Sequence, residues 1–299
     1  MSDASPKRWF SLHSVAERAV RQRFRWAGLE SRVLDLGLAR VHFWIGGNGP
    51  PLLLLHGFGG DATWGWHPQV APLARRHTLI VPDLVWFGRS AASTEERSLY
   101  FQAEVQAALC QALGVERFDV CGVSYGGLVA FTMAAMYHDR VRRLVLVDSP
   151  GPVYDDRDHH HILDHFGVTD VSQLIIASEP RDVRRLLELA WRKPPPTPGF
   201  VLEDTFDRVF SIHVEQKRQL LAWLDHQRAD PALRPEWTVP QRTMLIWGAE
   251  DPLFPVSLAE RLAAELAAEE LFVIPETRHA PNLERPDLFN DKLMHFLRR

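Results

Sequence analysis

Apolar positions along this 299-residue chain fall into two alternating kinds of segment. Short unbroken apolar runs at 52–55, 78–81, 118–122 and 143–147 have the length and composition of strands buried on both faces. Between them, near 64–75, 98–113 and 125–138, the apolar residues take helical spacing. Such alternation predicts parallel strands joined by crossover helices. Ahead of these runs, 32–36 and 40–45 read as an opening antiparallel pair, with Gly46-Gly47-Asn48-Gly49-Pro50 as the turn that follows. From 151 to about 238 the strand signal stops. Helical patterns replace it near 159–166, 171–177, 180–191, 200–213 and 215–227, interrupted by Pro194-Pro195-Pro196-Thr197-Pro198, a rigid connector. Strand signals resume at 243–247 and 271–274, and a helical segment closes the chain at 287–297. The expected organisation is therefore a core of 31–150 with 239–299, a helical cap at 151–238 and an N-terminal helical segment at 1–30.

The N-terminal segment places Trp9, Leu12, Ala16, Val20 and Phe24 near helical spacing, with Arg18, Arg21, Arg23 and Arg25 among them. The expected role is packing on the body of the protein or flanking its entrance, with peripheral membrane contact as the other reading. No window is apolar enough to span a bilayer, and no signal-peptide core precedes the helix. The chain is 46% hydrophobic and 24% charged, with a formal charge of −4, which gives no reason to expect nucleic acid. Its two cysteines, Cys110 and Cys121, have no metal or redox spacing and suit a reducing, cytoplasmic setting.

Candidate chemistry sits at the ends of the predicted strands, where ligands bind in sheets of this kind. Gly122-Val123-Ser124-Tyr125-Gly126 lies between an apolar strand and an apolar helix. A strained strand-to-helix turn of this composition holds a serine hydroxyl exposed above the sheet, and its glycines admit close helix–strand approach. A serine hydroxyl needs a base to accept its proton. Of fourteen histidines, His279 has the right setting, on a loop just past the 271–274 strand. Asp251, on the loop after 243–247, is assigned as the carboxylate that orients the imidazole; Asp148, at the end of 143–147, is the alternative. His56-Gly57-Phe58-Gly59-Gly60 follows the 52–55 run and can aim a backbone N–H at a developing oxyanion. The two donors are assigned to the amides of Phe58 and Tyr125, with His56 and Gly57 supporting the loop. Loss of one such donor costs about 3 kcal/mol of transition-state stabilisation.

With these motifs in place the chain resembles the α/β-hydrolase superfamily over residues from about 32 to 299. The matching positions are His56-Gly57, Pro82-Asp83-Leu84 with Phe87-Gly88-Arg89-Ser90, the turn at 122–127, the segment 248–255 and Arg278-His279-Ala280. The order Ser124, Asp251, His279 is that of this superfamily. Within it the chain is most similar to capped carboxylesterases and monoacylglycerol-lipase-like hydrolases. The resemblance implies a mostly parallel eight-stranded sheet flanked by helices with an inserted helical cap. It also implies a serine hydrolase that cleaves carboxylic esters of short to medium chain through an acyl-enzyme, with no cofactor. One departure is Val85-Trp86 in place of the usual Pro-Gly before Phe-Gly, which makes Trp86 a candidate pocket residue beside Trp64, Trp66 and Tyr125.

The same constellation serves carbon–carbon hydrolases of ring-cleavage products and perhydrolases, which stay open as alternatives. Dehalogenase and epoxide hydrolase chemistry is disfavoured, because those families carry Asp where this chain has Ser124. Tyr125 in place of Trp argues against a proline iminopeptidase, and the complete constellation argues against a catalytically silent receptor. His159-His160-His161 and His165 lie beside Asp155, Asp156 and Asp158 but form no complete ligand set, so no metal is expected. The expected partner is a small-molecule ester, and the chain is expected to be a monomer or homodimer.

Overall fold

The structure, a computed structural model, describes residues 12–230, 233 and 238–298; Trp9 and the side chain of Leu12 lie outside the described residues. Strands β1 (Leu29–Asp35), β2 (Arg40–Gly47), β3 (Pro51–Leu55), β4 (Thr78–Pro82), β5 (Phe118–Val123), β6 (Val141–Val147), β7 (Arg242–Gly248) and β8 (Glu270–Ile274) form one sheet. Its order is β1-β2-β4-β3-β5-β6-β7-β8. β2 runs antiparallel to both β1 and β4, and every later pairing is parallel.

The apolar runs explain why this sheet is covered on both sides. Leu52, Leu53, Leu54 and Leu55 are fully buried, and alternate residues enter different cores. Leu53, Leu55, Leu144, Leu146, Leu245 and Trp247 share one core. Leu52, Leu54, Val145, Val147, Met244 and Ile246 share the other, as the period of two along a strand requires. Helices α1 (Leu12–Trp26), α2 (Ala62–Trp66), α3 (Val70–Ala74), α4 (Leu99–Ala112) and α5 (Tyr125–Met136) precede or interleave the central strands. α4 and α5 cover the first core through Phe101, Val105, Val129 and Met133, while α1 and α3 cover the second through Phe24, Val70 and Leu73.

Between β6 and β7 stand α6 (Asp156–Phe166), α7 (Ser172–Ile175), α8 (Pro180–Ala190), α9 (Gly199–Thr205) and α10 (Val214–Ala229). α11 (Val256–Glu265), α12 (Pro281–Glu284) and α13 (Pro286–Arg298) complete the chain, and α13 packs Phe289, Leu293 and Phe296 into the second core.

Several elements differ from the sequence expectation for local reasons. The helix expected at 64–75 is two short helices, α2 and α3, because Pro68 interrupts the hydrogen-bond ladder. α6 begins at Asp156, ahead of the expected 159, since Asp155 and Asp158 form a reciprocal capping box. The 200–213 segment divides into α9 and a π-turn at Phe206–Phe210, and His213 then takes a left-handed backbone (φ 53°). β1 starts at Leu29, three residues before the expected 32.

The crossing of α5 over the sheet leaves no room for a side chain at Gly126. A Cβ there would meet the carbonyls of Leu55 and His56, which are fixed backbone. Gly59, by contrast, has nothing within 4 Å of where its Cβ would sit. Gly126→Ala is therefore expected to cost on the order of 1–3 kcal/mol or more. Gly59→Ala should stay within about 0.5 kcal/mol of wild type. Urea unfolding of the two variants checks the contrast.

Candidate active site

β5 ends at Val123, and the next residue, Ser124, adopts φ 52° and ψ −119° as the cap of α5. That conformation is costly for a side-chain-bearing residue, on the order of 1–3 kcal/mol. It is held by the Ser124 N–H donating to Val147 O (2.8 Å), and by Ser124 O accepting from Gly127 (2.9 Å) and Leu128 (3.1 Å). The turn projects the hydroxyl away from the sheet toward the loop after β8.

There, His279 Nε2 stands 2.9 Å from Ser124 Oγ, and Nδ1 stands 2.8 Å from Asp251 Oδ2. A carboxylate on Nδ1 makes that nitrogen the donor, which leaves Nε2 to accept the serine proton. The other Asp251 oxygen accepts from the backbone N–H groups of Leu253 (2.8 Å) and Phe254 (3.2 Å). Asp251 is thus buried with both oxygens occupied. The ring of Phe254 lies 5.5 Å from that of His279, and Trp247 Nε1 donates to Phe254 O (2.8 Å), fixing the loop. Arg278 N donates to Glu284 Oε1 (2.6 Å), which holds the histidine loop from its other side.

The loop after β3 closes over the serine. Gly57 sits so close that a Cβ would contact Ser124 Cβ at 3.4 Å. His56 is buried and donates from Nδ1 to Gly57 O (2.7 Å), while its Nε2 accepts from Leu84 N (3.0 Å). Burial lowers its pKa, in keeping with the neutral ring that this pair of bonds requires. Asp83 accepts from Ala62 N (3.0 Å), Arg89 N (2.9 Å) and His42 Nδ1 (2.8 Å), tying this loop to the turn after β4. The Phe58 and Tyr125 rings pack edge to face, 5.3 Å apart. Tyr125 is the first residue of α5, so its amide has no acceptor within the helix. The geometry brings Ser124, His279, Asp251, Gly57, Phe58 and Tyr125 around one point.

Trp86 is not part of it. The residue is 2% exposed, carries φ 67°, and sits between the ring of Phe101 and the guanidinium of Arg97, 4.3 Å from its centroid. Its place is the core beneath the site, so its assignment to the pocket is corrected here. Trp66 is likewise core, against Phe289, whereas Trp64 and Tyr125 do line the cavity. That cavity has a volume of about 1490 Å³ and opens over Ser124 and His279. Its walls come from the helices between β6 and β7, with Ile175, Leu186 and Leu221 among them. α1 adds His13 and Ala16, which the sequence pattern does not single out as site residues.

A second acid stands behind the first. Asp148, fully buried at the end of β6, accepts from Gly248 N at 2.8 Å, and its carboxyl faces that of Asp251. Ligand-type atoms of Asp148, Asp251 and His279 all lie within 4.8 Å of one another. Burial pushes the Asp148 carboxyl well above the usual carboxylate range, and the neighbouring Asp251 adds to the effect. Since His279 binds Asp251 directly, Asp148 is the acid that stays protonated. The His161 and His165 rings stack 6.3 Å apart on α6, with no third ligand beside them among the described residues.

The fold and this constellation define a hydrolase class, and comparison with known proteins agrees. Residues 50–286 match the family model of the alpha/beta hydrolase fold, and the chain belongs to that family. The pimeloyl-[acyl-carrier protein] methyl ester esterase of Vibrio vulnificus is 29% identical over 279 residues, spanning 86% of this chain and 97% of the relative. The 2-hydroxymuconate semialdehyde hydrolase of a Pseudomonas species is 28% identical over 280 residues, spanning 86% and 90%. Among solved structures, a bacterial membrane phospholipase A superposes with a TM-score of 0.82 at 26% identity, covering 95% of this chain and 91% of that one.

The protonated state of Asp148 has a measurable sign. The unfolded chain ionises this carboxyl near 3.8, whereas the fold keeps it neutral to much higher pH. The unfolded state then binds fewer protons, and stability falls as pH rises from about 4. Asp148→Asn removes that loss. Its melting midpoint should exceed that of wild type at about pH 8, with the gap closing toward about pH 4. Labelling of Ser124 by a serine-directed phosphonate should stay near the wild-type rate in this variant and fall sharply in Asp251→Asn. Loss in Asp148→Asn with labelling kept in Asp251→Asn would make Asp148 the orienting acid.

Proposed function

We propose that the protein is a serine hydrolase of carboxylic esters, with Ser124 as nucleophile, His279 as general base and Asp251 as the orienting acid. The observation that carries this reading is the unbroken hydrogen-bonded line from Asp251 through His279 to Ser124, opening into an apolar cavity. Ser124 Oγ attacks the ester carbonyl carbon as its proton passes to His279 Nε2. The oxyanion is held by the amides of Phe58 and Tyr125, and the protonated imidazole then gives its proton to the departing alcohol. Water repeats the sequence on the acyl-enzyme, releasing the acid and restoring the serine. Asp251 stabilises the imidazolium through both half-reactions, and His56 with Gly57 keeps the donor loop in shape.

The helices between β6 and β7 act as the cap that walls the acyl site. A volume near 1490 Å³ exceeds the roughly 300–1,000 Å³ of sites for drug-sized ligands. It favours acyl chains of medium length and longer, beyond the short esters that the sequence suggests. The resemblance to a membrane phospholipase A points the same way.

Carbon–carbon hydrolysis, the activity named for the Pseudomonas relative, is less well supported. A ring-cleavage acid calls for a free cation near the serine. Four of the five lysines and arginines that line the cavity face protein carboxylates instead: Arg192 binds Glu250, Arg218 lies near Glu215, Arg228 binds Asp156 and Asp225, and Arg285 lies near Glu276, while the fifth, Lys193, is exposed to solvent.

A p-nitrophenyl ester series from acetyl to palmitoyl tests the reading. Turnover should rise from the shortest chain to a maximum at medium or longer chains. Ser124→Ala should lower kcat by about ten-thousand-fold or more while keeping the wild-type melting curve. A folded, phosphonate-reactive protein that turns over no ester but cleaves a ring-cleavage dienoate would sink it.

A further inference from the structure

The outward face of α1 has a pattern that nothing in the hydrolytic site uses. Val15, Ala19, Gln22 and Trp26 are spaced four, three and four residues apart, which stacks them in one stripe along the helix. The opposite face holds His13, Val20 and Phe24, all buried against the body. Apolar residues on the outer stripe are therefore not explained by packing: Val15 is 46% exposed and Trp26 is 79% exposed. Arg18 and Arg25 flank the stripe on one side and Arg23 on the other, all exposed. None of these three has a carboxylate within salt-bridge reach among the described residues, whereas Arg21, turned inward, pairs with Glu17. The helix carries four arginines against one acid in a chain whose net charge is −4.

Position adds a second observation. Ala16 is exposed and also lines the cavity, so the cavity meets the surface beside this helix. α1 is pinned there by His13, whose N–H donates to Asp204 Oδ2 (3.1 Å) and whose ring meets Thr205 Oγ1 (3.2 Å). α9, the helix so engaged, presents Phe200 at 44% exposure. Of the five large hydrophobics most exposed among the described residues, three thus belong to α1 and its neighbour.

We propose that the outer face of α1 docks on an anionic lipid bilayer, with Trp26 and Val15 entering the interface and Arg18, Arg23 and Arg25 meeting lipid phosphates. An apolar stripe between rows of arginine suits a helix lying in the plane of a bilayer surface. A protein partner of matching shape would need anionic groups on both flanks and an apolar groove between them; an anionic bilayer offers phosphates and an apolar interior at every point of its surface. Docking in this pose sets the cavity mouth at the lipid surface. The inference does not depend on the ester reading, because none of the residues that make the docking face lines the cavity that holds Ser124.

Vesicle co-sedimentation of the full chain tests it, using phosphatidylcholine alone and phosphatidylcholine mixed with phosphatidylglycerol. The expected result is partition onto the mixed vesicles, weakened by added salt, and much weaker partition onto phosphatidylcholine. Arg18→Gln, Arg23→Gln and Arg25→Gln combined should reduce the partition coefficient by about 100-fold, at roughly a factor of five per arginine. Trp26→Ser should reduce it independently. Both variants should hydrolyse a water-soluble short-chain ester at the wild-type rate, and Ser124→Ala should bind vesicles as wild type does, which separates docking from catalysis. Absence of binding, equal binding to both vesicle types, or binding unchanged in the triple variant would overturn the proposal. So would a concentration-dependent dimer in sedimentation velocity that Trp26→Ser abolishes, since the stripe would then belong to a second copy of the chain.

Discussion

Everything at the candidate site depends on how closely α5 approaches the ends of β3 and β5. At Gly122 an added Cβ would meet the carbonyl of Gly126, and at Gly126 it would meet the carbonyls of Leu55 and His56. Because these contacts involve backbone, no rotamer change relieves them. The close crossing tightens the turn at Ser124 and holds it at φ 52°. The same crossing brings the first amide of α5 beside the loop after β3, so serine and donors are positioned by one constraint. Strain at Ser124 is sustained by the two fully buried leucine-rich cores that clamp the sheet from either side.

A second principle is the handling of buried charge. Three buried acids stand in or behind the site, and each has a different environment. Asp251 accepts from two backbone N–H groups and from His279. Asp83 is pushed up by burial, but the hydrogen bond and charge of His42 and the Arg89 N–H outweigh that and hold its carboxyl below the usual range. Asp148 is pushed up first by burial and then by the neighbouring Asp251 carboxylate, with only the Gly248 N–H working the other way. Burial is the largest influence on both Asp83 and Asp148, and the donors and charges around each decide the direction of the net shift.

Most of the sheet was legible because each strand is an apolar run with turn residues at its ends, and alternation of helix and strand leaves few topologies. That Ser124, Asp251 and His279 come together follows from a related feature: each falls just beyond a strand end, at one edge of the sheet. Trp86 was misread because an aromatic beside a motif carries no sign of which way it points. Only the structure shows its left-handed backbone turning it under Arg97 and against Phe101. The start of α6 was readable in principle from Asp155 and Asp158 at capping-box spacing, and the break after α2 from Pro68. The cavity walls were not, since they depend on how five helices without a repeating register settle over the sheet.

Those helices are fastened in different ways, which bears on how a substrate would reach Ser124. α10 is tied to the core by buried groups. Lys217 lies over the Phe87 ring at 5.3 Å with its pKa drawn down to about 8 by burial, and Leu220 is fully buried in the first core. Arg97 adds a 2.8 Å bond to Gln219. α6 and α8 are held differently, by a small core of Ile162, Leu174, Leu189 and Leu253 and by ion pairs near the surface, Asp158 with Arg261 and Glu250 with Arg192. Surface pairs of this kind contribute only about 0–1 kcal/mol each. α9 stands between them and is pinned to α1 through His13, so the N-terminal helix sets the position of the entrance as well as its rim.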